Sequence, residues 1–169
     1  DSFSTGLRSA LREAPDIILV GEMRDQDTIA AALTAAETGH LVLSTLHSGH
    51  SAQAIDRIID VFPEYQQQQV RIQLADVLRA VVTQRLLPTV DQDRRVPAIE
   101  LVMANYAVSN TIREGRTHQL NNLIQSGLKS GMIPFDMSLA ELVNEGLIDA
   151  RVAARCARDR SHFDSLSGG

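Results

Sequence analysis

Two short apolar runs with a helical pattern between them constrain the fold of this chain more than any other feature. Residues 17–20 read IILV and residues 41–48 read LVLSTLHS, so each run is apolar and then gives way to polar residues. Between them, apolar residues recur at helical spacing over 25–38, and Gly39 ends that pattern. Continuous apolar runs are typical of strands buried on both faces of a parallel sheet. The order of strand, helix and strand predicts an α/β fold.

Polar side chains follow both predicted strands. Glu22 follows the first strand and His47 lies at the end of the second, the edge where open α/β sheets bind ligands. An apolar strand ending in an acid has the form of a Walker B element, whose carboxylate reaches magnesium or orients the attacking water. Many buried strands end in this way without a catalytic role. His47 and two hydroxyls near it are groups that can donate to a phosphate, and a capping cluster in a loop is the alternative interpretation.

The rest of the sequence predicts helices and one hairpin. Helices are predicted over 2–13, 51–62 and 64–80, a hairpin over 83–90 and 94–103, and short helices after Asn105, with Asn105, Asp136 or Ser138, and Asp149 as candidate N-caps. We therefore predict an α/β core over 1–103, a helical subdomain over 104–160 and a disordered tail over 161–169.

Composition limits the function classes. The 169 residues are 44% hydrophobic, which allows a sizeable core, and the net charge of −5 argues against bulk nucleic-acid binding. The single cysteine, Cys156, forms no internal disulfide, so a reducing cytoplasm is expected. No apolar stretch is long enough to span a bilayer.

The sequence contains neither a phosphate-binding loop nor a metal-ligand pattern. The only lysine, Lys129, lies in GLKSG, which lacks the Gly-Lys pair and the preceding strand of GxxxxGK[ST]. His47 and His50 are three residues apart, but no third ligand lies at a suitable spacing. We expect no metal site from the protein alone.

Four stretches, in order, resemble the secretion-type ATPases, specifically the type IV pilus retraction (twitching-motility) ATPases. They are ALREAPDIILVGEMRD, TAAETGHLVLSTLHS, AIDRIIDVFP and AVSNTIREGRTHQLNNLIQSG, and the resemblance extends to about residue 155. It implies a hexameric motor that uses ATP and Mg²⁺, with a RecA-like P-loop NTPase core and a C-terminal helical bundle. It also implies a cytoplasmic location at the inner membrane and a pilus platform protein there as partner.

In this family the phosphate loop, an aspartate box and a PAS-like domain lie upstream. The resemblance therefore implies that this chain is the C-terminal portion of a longer ATPase and is inactive by itself. Carried over by position, Glu22 is the Walker B glutamate that positions or activates water, and His47 is the histidine expected to sense the γ-phosphate. The remaining candidates for nucleotide binding or a subunit interface are Arg8, Arg12, Arg24 and His40.

The resemblance also places a retraction motif, AIRNLIRE in the family, at residues 107–114. The matching candidates here are Ala107, Asn110, Ile112, Arg113 and Glu114. Ser109 and Thr111 depart from the family's arginine and leucine, so retraction competence is open while the fold is expected to survive.

Two alternatives stand beside the motor. One is a non-enzymatic interaction module without a phosphate loop, which joins a ring or binds a partner. The other is a related secretion or DNA-transfer ATPase with the same chemistry and a different load.

Overall fold

The computed structural model describes Gly6, Glu13 and residues 15–168. Its strands are β1 (Ile17–Val20), β2 (Leu41–Ser44), β3 (Ala80–Pro88) and β4 (Arg95–Met103). Its helices are α1 (Gln26–Glu37), α2 (Ser51–Asp60), α3 (Glu64–Val77), α4 (Tyr106–Arg113), α5 (Leu120–Ser126), α6 (Phe135–Asn144), α7 (Ala150–Cys156) and α8 (Arg160–Leu166), with 3-10 turns at Thr117–Gln119 and Leu128–Ser130. The helix predicted over 2–13 lies outside the described residues, apart from Gly6 and Glu13.

The described residues divide into two compact units. The first contains the residues up to Ser48, Ala52–Arg79 and Asn105–His118, and the second contains Gly49–Ser51, Ala80–Ala104 and the residues from Gln119 onward. This division differs from the predicted boundary at residue 103, because Ala80–Ala104 group with the second unit and Asn105–His118, which include α4, group with the first. α4 packs on α3 there.

The first unit contains a parallel pair of strands covered by α1. β1 pairs with β2 from Ile17↔Leu41 to Val20↔Ser44, which confirms the predicted α/β arrangement. Ile18 and Val20 are buried against Ala35 of α1. Ile17 and Leu19 on the other face are 58% and 73% exposed, so the prediction of a strand buried on both faces is wrong within the described residues.

α1 forms where the sequence predicts a helix. The Asp25 carboxylate accepts hydrogen bonds from the Thr28 backbone N–H (2.9 Å) and hydroxyl (2.8 Å), which caps the first turn. Gly39 has φ +98°, a left-handed conformation that favours glycine, and this ends the helix. β2 is shorter than predicted, because residues 45–48 continue beyond the strand as coil.

Helix α3 ends at Val77, earlier than predicted, whereas α4 begins at Tyr106, directly after its predicted N-cap. The segment after α3 becomes β3 at Ala80, three residues before the predicted strand. The N-cap prediction at Asn105 is confirmed, because its side chain accepts a hydrogen bond from the Val108 backbone N–H at 3.0 Å.

The second unit contains the predicted hairpin, packed against α6. β3 and β4 pair antiparallel from Ala80↔Met103 to Pro88↔Arg95. A core forms from Leu87, Ala98, Phe135, Leu139, Ala140, Ile148, Ala153, Ala154 and Phe163. The N-cap prediction at Asp149 is confirmed, since its side chain accepts from the Arg151 backbone N–H.

Asp136 and Ser138 do not cap α6, so that prediction is wrong. The helix follows Pro134, and the buried carboxylate of Asp136 accepts from the backbone N–H groups of Arg158 and Asp159, each at 2.8 Å. Asp136 therefore fixes the chain between α7 and α8.

The predicted disorder over 161–169 is wrong where the structure describes the tail. Asp159 caps α8, and Phe163 of that helix is buried in the core of the second unit. An aromatic side chain that finds an apolar pocket stabilises a terminal helix. Across the described residues, none of the helices is long and apolar enough to cross a membrane.

Candidate functional site

The site is built where β1 and β2 end side by side. Because Val20 pairs with Ser44, the residues that follow each strand meet at one edge of the sheet. The Met23 backbone N–H donates to the Thr45 carbonyl at 3.2 Å, and the Thr45 hydroxyl donates to the Gly21 carbonyl at 2.5 Å. These bonds join the segment carrying Glu22 to the coil over 45–48.

The carboxylate of Glu22 contacts an arginine and a histidine side chain. Arg24 Nη2 lies 2.6 Å from Oε2, and His47 Nε2 lies 3.1 Å from Oε1. The structure thus brings together three of the predicted site residues. The Glu22 side chain is 25% exposed and the His47 side chain 76% exposed, so both are reachable from solvent.

The surroundings of Glu22 favour its charged form. The hydrogen bond from Arg24 is the largest effect that lowers the pKa of Glu22 below its usual value, while partial desolvation opposes it. The positive charges of Arg24, His47 and Arg57 lower this pKa further. Glu22 is consequently an ionised hydrogen-bond acceptor at neutral pH.

Arg57 joins this site, and the sequence prediction did not single it out. It lies on α2 and its Nη1 donates to the His47 backbone carbonyl. AIDRIIDVFP was among the stretches that carry the resemblance, but within it only the apolar spacing was used to predict a helix. The signal that could have identified Arg57 is a basic residue that follows an apolar strand and a loop containing a histidine.

The two hydroxyls near His47 have different surroundings. The Thr45 hydroxyl is occupied by the Gly21 carbonyl, so it holds the loop. The Ser44 Oγ is buried and has no hydrogen-bond partner within the part of the chain that the structure describes. A buried, unsatisfied hydroxyl at a strand end is a group that a ligand or a further segment can satisfy.

His40 lies away from this site. Its Nδ1 is 3.0 Å from the Ala35 carbonyl and 3.2 Å from the Thr38 hydroxyl, at the C-terminal end of α1. It precedes β2, whereas Glu22 and His47 follow the strands, and four strand residues span about 13 Å. His40 therefore acts here as a turn residue that satisfies a helix-end carbonyl.

Arg8 and Arg12 lie outside the described residues. The structure places neither of these predicted interface residues, and their roles stay predictions. Among the residues it does describe, no group of three or more His, Cys, Asp or Glu side chains is arranged to hold a metal ion.

The predicted retraction motif forms α4 and its C-cap. Ile112 is fully buried and Arg113 pairs with Asp76 of α3 at 2.5 Å. Ala107 and Glu114 are exposed, and Asn110 accepts from the Glu114 backbone N–H. Ile112 is thus a packing residue, and Ala107 and Glu114 remain available at the surface.

The two departures from the family motif are accommodated by local contacts. The Ser109 hydroxyl donates to the Ala75 carbonyl at 2.8 Å, and Thr111 is buried. Ser109 therefore joins α4 to α3 through its hydroxyl.

Comparison with known proteins places these features in one family. A family model described as "Type II/IV secretion system protein" matches residues 2–135. The twitching motility protein of Neisseria gonorrhoeae is 52% identical over 158 residues, which are 94% of this chain and 42% of that protein. The type IV pilus retractation ATPase PilT of Pseudomonas aeruginosa is 48% identical over 161 residues, 95% of this chain and 46% of that protein.

A solved structure has the same fold. The pilus retraction motor PilT with bound ADP matches with a TM-score of 0.86 and 43% identity, covering 98% of this chain and 46% of that one. This chain therefore spans less than half the length of the relatives it matches.

Proposed function

This chain belongs to the Type II/IV secretion system protein family, and on that premise we propose that it is part of an ATP-hydrolysing motor that retracts type IV pili. The family match confirms the resemblance stated from the sequence motifs. The observation that carries the proposal is the carboxylate of Glu22, held at a strand end between Arg24 and His47.

The residues fit one side of a nucleotide site. Glu22 offers an ionised carboxylate, His47 offers a ring N–H, and the buried Ser44 hydroxyl lacks a partner among the described residues. Bound MgATP supplies the γ-phosphate that water attacks. Glu22 and His47 are the residues of this chain that would face the water, the magnesium ion and that phosphate.

The low pKa of Glu22 favours orientation of water over strong proton abstraction. A general base works best with a pKa near the working pH, and the Arg24 hydrogen bond moves the pKa of Glu22 in the opposite direction. Both carboxylate oxygens are occupied in this arrangement. Arg24 is 73% exposed, and exposed ion pairs are weak, so water can replace Arg24 at the carboxylate at little cost.

The assembly of the motor is proposed by extension from the family. We propose a homohexamer at the cytoplasmic face of the inner membrane, in contact with a pilus platform protein. The exposed Ala107 and Glu114 of the retraction motif are the residues of that motif available to a partner.

Phosphate release from MgATP by the complete protein tests the enzymatic proposal. Glu22→Gln should lower turnover by about 10²–10⁴-fold, because the amide cannot replace a carboxylate that orients or activates water. Glu141→Gln is the matched control, since Glu141 is an exposed helical glutamate of the second unit. Equal rates for Glu22→Gln and the wild type would remove Glu22 from the mechanism.

The load is tested separately, in cells that lack their own copy of the gene. Twitching zones restored by the wild type and not by Glu22→Gln would support pilus retraction. ATP hydrolysis without restored twitching would favour a related secretion or DNA-transfer ATPase, and absence of hydrolysis in the wild type would favour a non-enzymatic module.

A further inference from the structure

The coil that carries His47 is only loosely packed against the rest of the protein. Residues 45–48 form neither helix nor strand, and the His47 side chain is largely exposed. Thr45 is tied to Gly21 and Met23, but those bonds lie two residues before His47. A hydrogen bond to the backbone of His47 itself would restrain the position of the imidazole more directly.

Arg57 restrains the backbone of His47 directly through a hydrogen bond. It lies ten residues after His47 on α2, and its guanidinium donates to the carbonyl of His47 itself. The adjacent Ile58 and Ile59 are buried, and they fix the helix from which Arg57 projects. The same guanidinium adds positive potential at Glu22.

We infer that Arg57 is a positioning residue that holds the His47 loop so that the imidazole faces Glu22. This inference rests on the proposed function for its kinetic consequence, but the geometry of the pair can be tested without hydrolysis. Arg57 does not contact the reacting atoms in this account, since its contact is with a backbone carbonyl.

A structural alternative must be separated from this inference. A cation in the last turn of a helix stabilises the helix through the macrodipole, wherever the helix lies. Arg155 occupies the equivalent last turn of α7, is exposed, and forms no ion pair within the described part of the chain. Arg155→Met is therefore the matched control for Arg57→Met.

Steady-state kinetics of the complete protein give the first test. Arg57→Met should lower kcat by about 10–10²-fold with less than about a threefold change in KM, because a displaced group loses alignment and not substrate affinity. Arg57→Lys keeps a charge and a donor and should stay within about threefold of the wild type. Arg57→Met should also move the acidic limb of the pH–kcat profile to higher pH, because it removes a positive charge that lowers the pKa of Glu22.

Nuclear magnetic resonance of the nucleotide-free protein gives the second test. In the otherwise wild-type protein, Glu22→Gln should change the imidazole nitrogen chemical shift of His47. In the Arg57→Met background, the same Glu22→Gln substitution should leave that chemical shift unchanged. Such a double-mutant cycle measures whether Arg57 couples the two groups.

The outcomes distinguish the inference from the proposed function. Lack of ATP hydrolysis by the wild type would contradict the proposed function. The double-mutant cycle measured by nuclear magnetic resonance would still decide the role of Arg57. If Glu22→Gln shifts the His47 signal equally with and without Arg57, or if Arg57→Met loses no more turnover than Arg155→Met, the positioning role is wrong.

Discussion

Glu22 and Glu100 are both carboxylates paired with an arginine, but their environments are opposite. Glu22 follows a strand, is partly exposed, and contacts Arg24 and His47. Glu100 lies inside β4, is 1% exposed, and accepts from the Ser51 backbone N–H (2.9 Å), the Ser51 hydroxyl (2.7 Å) and Arg158. The same pair of groups is open to solvent and to a ligand at Glu22, and is enclosed in the core at Glu100.

The pKa of each carboxylate is lowered, for different reasons. At Glu22 the Arg24 hydrogen bond is the largest cause. At Glu100 burial is the largest effect and raises the pKa, but the hydrogen bonds from Arg158 and Ser51 together outweigh it. A buried carboxylate that stays charged therefore depends on every one of its donors.

The largest predicted effect on stability is at Glu100. Glu100→Ala should lower the free energy of unfolding by about 3–5 kcal/mol, because it leaves Arg158 and two Ser51 donors without their acceptor. Glu22→Ala should leave the free energy of unfolding close to that of the wild type, since exposed ion pairs contribute little to stability. Urea unfolding of both variants measures the contrast, and equal losses would remove the distinction between the two sites.

Glu100 should contribute a pH-dependent part of the free energy of unfolding. Its pKa lies below the ordinary 4.5, so its contribution is present above that value and is lost as pH falls through the folded-state pKa. The wild type should thus exceed Glu100→Gln most at neutral pH, and the two should converge in acid, where the wild-type carboxyl is protonated. A difference that stays constant down to acid pH would contradict this assignment.

The sequence predicted the elements whose signals are local. The apolar run of β1, the N-caps at Asn105 and Asp149, and the end of α1 at Gly39 each depend on neighbouring residues. The tail was missed because α8 depends on Phe163 finding the core built by Phe135 and other distant residues. No local pattern reports such a contact.

The site was predicted in part for the same reason. Strand-end position identified Glu22 and His47, and the resemblance added Arg24. The contact from Arg57 to the His47 carbonyl joins a helix to a loop, so spacing alone could not reveal it. The family motif groups His40 with His47, but β2 lies between them, so the two histidines are at opposite ends of that strand.

A smaller effect is expected at Arg24, and it concerns activity. Arg24→Ala removes the largest influence that lowers the pKa of Glu22, so the pKa should rise toward its ordinary value. In the proposed mechanism Glu22 acts while ionised, so the acidic limb of kcat/KM should move to higher pH, while the free energy of unfolding should stay close to that of the wild type. An unmoved limb would show that another group sets it.

The smallest effect is expected at Arg160 and Asp164, an exposed arginine–carboxylate pair that has no part in the proposed site. Both side chains are more than half exposed, and Arg160 Nε lies 3.1 Å from the Asp164 carboxylate across one turn of α8. The arginine stands at the helix start and the acid near its end, an orientation that opposes the helix macrodipole. A double-mutant cycle in urea should give a coupling of about 0.3 kcal/mol or less, decreasing with salt. A coupling above about 1 kcal/mol would mean that pairing geometry, and not burial, separates Glu100 from the exposed carboxylates.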